Sequence, residues 1–345
     1  MPIISEGKDA RDIINRIIST GKSIPCFCTE SVYTTEAIFK GAKLFKLHNN
    51  ISGNLPIIIA FTANYADRQQ LKNYTGLEDL REGLLAVKAD IERLSRSTGH
   101  YHDLDIIVHL DHAQPGKDNW ILEEYDDFIS SVMWDCSHYS MAENIAMTKE
   151  FVKANKSNFV IEGAVDEITN YNPEGKDIKL IDDITQPEAA EKFFYETGCD
   201  LIVANLGTEH RRTEGKVKYH GDIAQIISSK IGRRLVLHGT SSINEEEMQN
   251  LPHDGIVKVN LWSNLESIPG KKLAEVLIRN LEHQLSIEQI KTLIEEGYLN
   301  TKMMDKIYKP SIHYLTEKYR RDQIYLPETI KIIEKTLMSL YGTGS

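Results

Sequence analysis

The stretch DIIVHLDH, residues 105–112, decides the fold. Its first six residues form a short, nearly continuous apolar run, the pattern of a strand covered on both faces. The run ends abruptly in an aspartate and a histidine. Seven more segments read as strands: IPCFC at 24–28, LPIIIAFT at 55–62, SVMWDC at 131–136, NFVIEGAV at 158–165, DLIVANL at 200–206, RLVLH at 234–238 and IVKVNLW at 256–262.

Between these runs the spacing predicts helices over about 33–47, 77–97, 140–154, 187–197, 220–231 and 264–284. In 77–97 the apolar positions Leu80, Leu84, Leu85, Val87, Ile91 and Leu94 follow helical spacing, with charges opposite. Parallel strands need crossover connections, and eight of them alternating with helices point to a closed TIM (β/α)8 barrel of the α/β class over residues 1–284. An open doubly wound sheet is the second choice, but no GxGxxG follows the first strand. Residues 285–345 read as helix only, a C-terminal extension packed on the barrel or at an oligomer contact. A lid or a contact to a neighbouring subunit's substrate is the other reading.

Composition narrows the function. The 345 residues carry a formal charge of −11, which argues against a nucleic-acid or anionic-membrane binder, since each needs a basic face. Cys26, Cys28, Cys136 and Cys199 lie in apolar runs without framework spacing and read as buried reduced thiols. The N-terminal stretch lacks a signal-peptide pattern and no apolar run approaches the ~20 residues of a membrane span, so a cytoplasmic protein is expected.

In a TIM barrel the chemistry sits where strands end and βα loops begin. Those ends carry Asp111-His112, Asp135-Cys136-Ser137-His138, Gly207-Thr208-Glu209-His210, His238-Gly239-Thr240-Ser241-Ser242 and Asn260 with Ser263. One histidine after a strand is more often a loop or core residue than a ligand. Three at the mouths of three strands are the ordinary means of holding zinc with a position open for substrate. His109, by strand alternation, points away from the face used by Leu110 and reads as structural.

Five motifs fall in order: HLDH at 109–112, SVMWDCSH at 131–138, GTEH at 207–210, LVLHG at 235–239 and VKVN at 257–260. Together with SMAENIAMTKEFV at 140–152 they resemble the metal-dependent class II ketose-bisphosphate aldolases, the fructose- and tagatose-bisphosphate type, over about residues 10–284. The resemblance implies zinc on His112, His210 and His238, one divalent ion per chain, and it admits a monovalent cation besides. It makes Asp111 the acid/base at the hydroxyl of the bond made or broken, with Asp135 and Glu162 beside the metal. Gly207, Gly239, Ser241, Asn260 and Ser263 fall where the family holds a phosphate and the ketose carbonyl end.

The chemistry suits these residue types. A Lewis acid on the carbonyl stabilises an enediolate by several kcal/mol, and a carboxylate within reach removes the hydroxyl proton.

Departures from the family pattern are concentrated around the substrate. Ala164 replaces a second glutamate, Asp166 a glycine, and the loop ITNYNPEGKDIKLIDD lacks the family's glycine and Glu-Asp pairs. Glu174 lies near the place of the glutamate that handles the carbon-three proton. Arg211 and Ser242 replace glycines near the anion site, and Asn264 and Glu266 replace an aspartate and an arginine. A Cβ obstructs backbone approach to a phosphate, whereas an arginine fork can grip an anion, so a changed substrate is expected.

The reading is a zinc-dependent aldolase on a phosphorylated or otherwise anionic ketose other than fructose 1,6-bisphosphate, working as a homodimer or higher homo-oligomer. A metal-dependent sugar-phosphate epimerase or isomerase, or a catalytically silent structural homologue, are the alternatives.

Overall fold

The computed structural model describes residues 2–65, 68–167, 184–209 and 217–342. Glu174, His210 and Arg211 therefore lie outside the described residues. The strands are β1 (Ile3–Ile4), β2 (Ile24–Cys28), β3 (Leu55–Thr62), β4 (Leu104–Ala113), β5 (Ser131–Trp134), β6 (Val160–Ala164), β7 (Leu201–Val203), β8 (Leu235–Leu237) and β9 (Ile256–Leu261).

Strands β2 to β9 pair in sequence order, every ladder parallel, and β2 returns to β9 with Cys26 opposite Asn260, which closes an eight-stranded barrel. The expected barrel is thus the observed one. The two-residue β1 pairs with β4 ahead of the stretch that β5 joins, with Ile3 opposite Ile106. Helix Gly7–Ser19, which the sequence reading did not place, is tied down near the strand starts: Arg11 donates to Asp200 at 2.8 Å and to the Phe159 carbonyl at 2.7 Å.

The outer helices follow the expected spacing, with differences at the edges. Helix Leu80–Leu94 buries Leu84, Val87, Ile91 and Leu94, whereas Leu85 is exposed, one step round from that stripe. Helix Ser263–Arg279 buries only Leu265 and Pro269. The chain's last helix, Leu326–Tyr341, lies against Val32–His48 instead and buries Leu326, Ile330, Ile333, Leu337, Leu340 and Tyr341 within the barrel's own hydrophobic core. A Cβ on Gly41 would stand 2.8 Å from Ile333, so this glycine permits the two helices to approach.

The helix expected throughout 301–321 is broken into short pieces, Thr301–Asp305, Ile312–Leu315 and Glu317–Arg320. Pro310 between the first two removes a donor and biases Lys309 away from helical backbone. Among the described residues no helix is long and apolar enough to cross a membrane.

Candidate metal and catalytic site

Strand alternation sends His109 and Asp111 of β4 to one face, the inside of the barrel, and would send His112 outward. The ladder between β4 and β5 shifts register between Leu110 and Ala113, and His112 has φ +51, a left-handed conformation uncommon outside glycine. This bulge turns His112 back into the mouth of the barrel. Its ring is buried there, 5.1 Å from the His238 ring at 85°, and Tyr65 stacks on it at 4.2 Å.

Each histidine is oriented by a carboxylate. His112 Nδ1 lies 2.7 Å from Asp135 Oδ2, while Asp135 Oδ1 accepts from the Ser137 hydroxyl at 2.6 Å and its N–H at 3.1 Å. His238 Nε2 lies 3.3 Å from Glu162 Oε1. If each of these nitrogens carries the proton, the lone pair falls on His112 Nε2 and His238 Nδ1, the arrangement of metal-binding imidazoles. One ligand atom each from Asp111, His112 and His238 lies within 4.8 Å of the others. Two neutral imidazoles and a carboxylate suit a borderline divalent ion such as zinc, so these residues fit the metal that the sequence motifs imply.

Asp111 is the most heavily engaged group. Its Oδ1 accepts from Asn260 Nδ2 at 3.2 Å and lies 3.6 Å from His109 Nε2; its Oδ2 accepts from Arg68 Nη2 at 3.2 Å and lies 3.8 Å from the Cys28 thiol. Burial would raise this carboxyl, but His112, the hydrogen-bonding contact with His109, then His238 and the Lys258 ammonium outweigh it and hold Asp111 well below the usual carboxylate range.

Beneath it lies a buried polar chain. Lys258 Nζ donates to Glu162 Oε2 at 2.8 Å and to His109 Nε2 at 3.2 Å, and His109 Nδ1 reaches the Ser131 hydroxyl at 2.8 Å. Burial works against ionisation of Glu162, yet Lys258 above all, with His238 and His109, holds it down at about 2. His109 thus links Lys258 to the wall of β5.

Gly239, Ser241, Asn260 and Ser263 line one pocket with Asp111 and His238. Gly239 has φ +68, and a Cβ there would stand 2.8 Å from the Glu209 backbone. The Ser241 hydroxyl and Asn260 Oδ1 are buried with no partner among the described residues.

Gly207 is not among the described residues lining this pocket; its N–H donates to Asn205 Oδ1 at 3.1 Å, and its missing Cβ makes room for the Lys218 carbonyl. The Ser242 hydroxyl donates to the Gly239 carbonyl at 2.7 Å and accepts from the Glu209 N–H. In the other direction, sequence reasoning missed Arg68, Trp262, Tyr65 and Cys28. Arg68 and Tyr65 follow the end of β3, the one signal that would have found them, since every barrel loop on that face is a candidate.

Fold and donor set together define a (β/α)8 barrel with a candidate metal centre at its C-terminal face. The chain belongs to the class II fructose-bisphosphate aldolase family, whose model matches residues 8–320. A 6-phospho-5-dehydro-2-deoxy-D-gluconate aldolase of Shouchella clausii (strain KSM-K16) is 35% identical over 159 residues, 45% of this chain and 52% of its own length. A fructose-bisphosphate aldolase of Giardia intestinalis (strain ATCC 50803 / WB clone C6) is 30% identical over 149 residues, 42% of this chain and 45% of its own length. The aligned region thus spans about half the length of these curated relatives. A crystal structure of fructose-bisphosphate aldolase from Campylobacter jejuni matches with a TM-score of 0.71 over 99% of this chain and 96% of that one; at 18% identity this likeness bears on the fold.

Proposed function

We propose that the protein is a zinc-dependent aldolase that makes or cleaves a carbon–carbon bond in a phosphorylated or otherwise anionic ketose. The observation that carries this reading is the buried, ionised Asp111 set against His112 and His238 at the mouth of the barrel. His112 and His238 hold the ion with His210 as third ligand, which keeps Asp111 for proton transfer. When bound, the ion supplies Lewis-acid polarisation of the substrate carbonyl.

The chain's own residues do the rest. Asp111 takes the proton of the hydroxyl on the carbon beyond the breaking bond, and it returns that proton in the direction of synthesis. Asn260 and Arg68 hold its two oxygens, so the carboxylate meets the hydroxyl in one orientation. Gly239, Ser241 and Ser263 receive the anionic end. Glu174 serves the carbon-three proton, and Arg211 adds charge that favours a substrate other than fructose 1,6-bisphosphate. The relatives named above differ in their own substrates, one a phosphorylated dehydro-deoxygluconate and the other a ketose bisphosphate, which supports treating the substrate as open within the family.

An aldol-cleavage screen of the zinc-loaded protein against a panel of ketose phosphates tests the reading. Aldehyde release from one of them at least tenfold faster than from fructose 1,6-bisphosphate is expected. No aldehyde from any member of the panel sinks the aldolase reading, and preferred cleavage of fructose 1,6-bisphosphate sinks the substrate choice.

A further inference from the structure

Arg68 enters the pocket from beyond the end of β3, and its own backbone is tied down. The Thr62 hydroxyl donates to the Arg68 carbonyl, the Arg68 N–H donates to the Tyr65 carbonyl at 3.0 Å, and Gln70 Oε1 accepts from the Thr62 N–H at 3.0 Å. The guanidinium lies over the Trp262 ring at 4.6 Å, with the side chain 13% exposed. Stacking uses the flat face of the group and leaves its N–H edge for hydrogen bonding. One edge atom, Nη2, meets Asp111. Another, Nε, is buried and has no partner among the described residues.

Three other atoms of residues lining the same pocket share that condition, the Ser241 hydroxyl, Asn260 Oδ1 and Trp262 Nε1. Buried polar atoms are nearly always partnered, so four in one pocket mark a place where a ligand supplies the bonds. Arg68 Nε and the Ser241 hydroxyl offer hydrogens, which suits an oxyanion; Asn260 Oδ1 accepts one, which suits a hydroxyl. Gly239, Thr240, Ser241 and Ser263 carry no charge, and Arg68 is the sole arginine or lysine among the described residues of the lining.

We propose that Arg68 is a substrate-binding and specificity-determining residue whose guanidinium supplies the positive charge for a substrate oxyanion, phosphate or carboxylate, in the pocket lined by Ser241, Asn260 and Ser263. The proposal deepens the aldolase reading and rests on it for the identity of the ligand as an anionic ketose. The rival role is local: Arg68 also balances Asp111 and is felt by the Glu30 carboxyl, and a residue that did only this would position Asp111 without touching substrate.

Calorimetric titration of the zinc-loaded full chain separates the two roles, with inorganic phosphate as one probe and malonate as another. In Arg68→Gln the affinity for one probe is expected to fall about ten- to a hundredfold, the range of a lost charge-assisted pair, with zinc content unchanged. The probe that responds identifies phosphate or carboxylate as the anion. Affinities within twofold of the parent for both probes, or a parent that binds neither, overturn the proposal, and a drop in kcat with unchanged probe affinity assigns Arg68 to positioning alone. If Arg68→Gln fails to fold, Arg68→Met, which keeps the stem over Trp262, is read by the same criteria. The titration needs no turnover: a parent that binds the probe through Arg68 but cleaves no ketose phosphate fails as an aldolase and keeps its anion site.

Discussion

Asp135 holds His112 from behind: its Oδ2 stands 2.7 Å from Nδ1 of the imidazole, and its other oxygen is fixed by two bonds from Ser137. The pair locks both the ring orientation and the tautomer of a residue whose backbone is already strained at φ +51. Asp135→Asn keeps the shape but offers a poorer acceptor. It should weaken zinc affinity about 10- to 100-fold while the barrel stays folded. Competition with a chelator measures this; an unchanged affinity would remove Asp135 from the metal's support.

The ligand set is tested residue by residue. His112→Ala, His238→Ala and His210→Ala should each strip zinc and activity, whereas Asp111→Asn should keep zinc and lose carbon–carbon cleavage by about 10²- to 10⁴-fold. Metal content by elemental analysis, beside an aldol-cleavage assay, gives both readings. Full zinc content in His210→Ala together with loss of zinc in Asp111→Asn would make Asp111 the third ligand and cancel its proposed role as acid/base.

How much of this was legible follows from what each residue's position depends on. Buried parallel strands must be apolar, so the eight runs and the polar residues at their ends stand out, and with them Asp111, His112 and His238. The route by which His112 reaches the site was not legible, because alternation along β4 points it the wrong way and only the register shift corrects it. Arg68 was missed for a related reason. Its loop has no periodicity, and its partner Asp111 lies 43 residues away across the barrel mouth.

The buried Lys258–Glu162 pair sets a stability test. Both side chains are fully buried, and each is the other's closest charge at 2.8 Å. Removing one partner leaves an uncompensated charge in the core, at a cost of about 3–5 kcal/mol. Lys258→Met should lower the unfolding free energy by that order in urea melts, and Lys258→Met combined with Glu162→Gln should recover part of it. A single variant as stable as the parent would show that the pair contributes nothing net.

The last expectation concerns pH. Glu266, in the first turn of helix Ser263–Arg279, accepts from the Thr34 hydroxyl at 2.8 Å. Burial, and then the nearby Glu30 carboxylate, push it up to about 7 against the Thr34 bond. Between the ordinary glutamate value and about 7 the folded state holds a proton that the unfolded chain has released. Stability therefore falls as pH rises through this window, and the effect is absent below it. At about 1.4 kcal/mol per unit the loss is at most about 3.5 kcal/mol, and the helix N-terminus, which favours the carboxylate, reduces it. Glu266→Gln is neutral at every pH. Its melting temperature should match the parent's near pH 5 and exceed it near pH 8. Parallel curves for the two proteins across that range would mean that Glu266 titrates near its ordinary value.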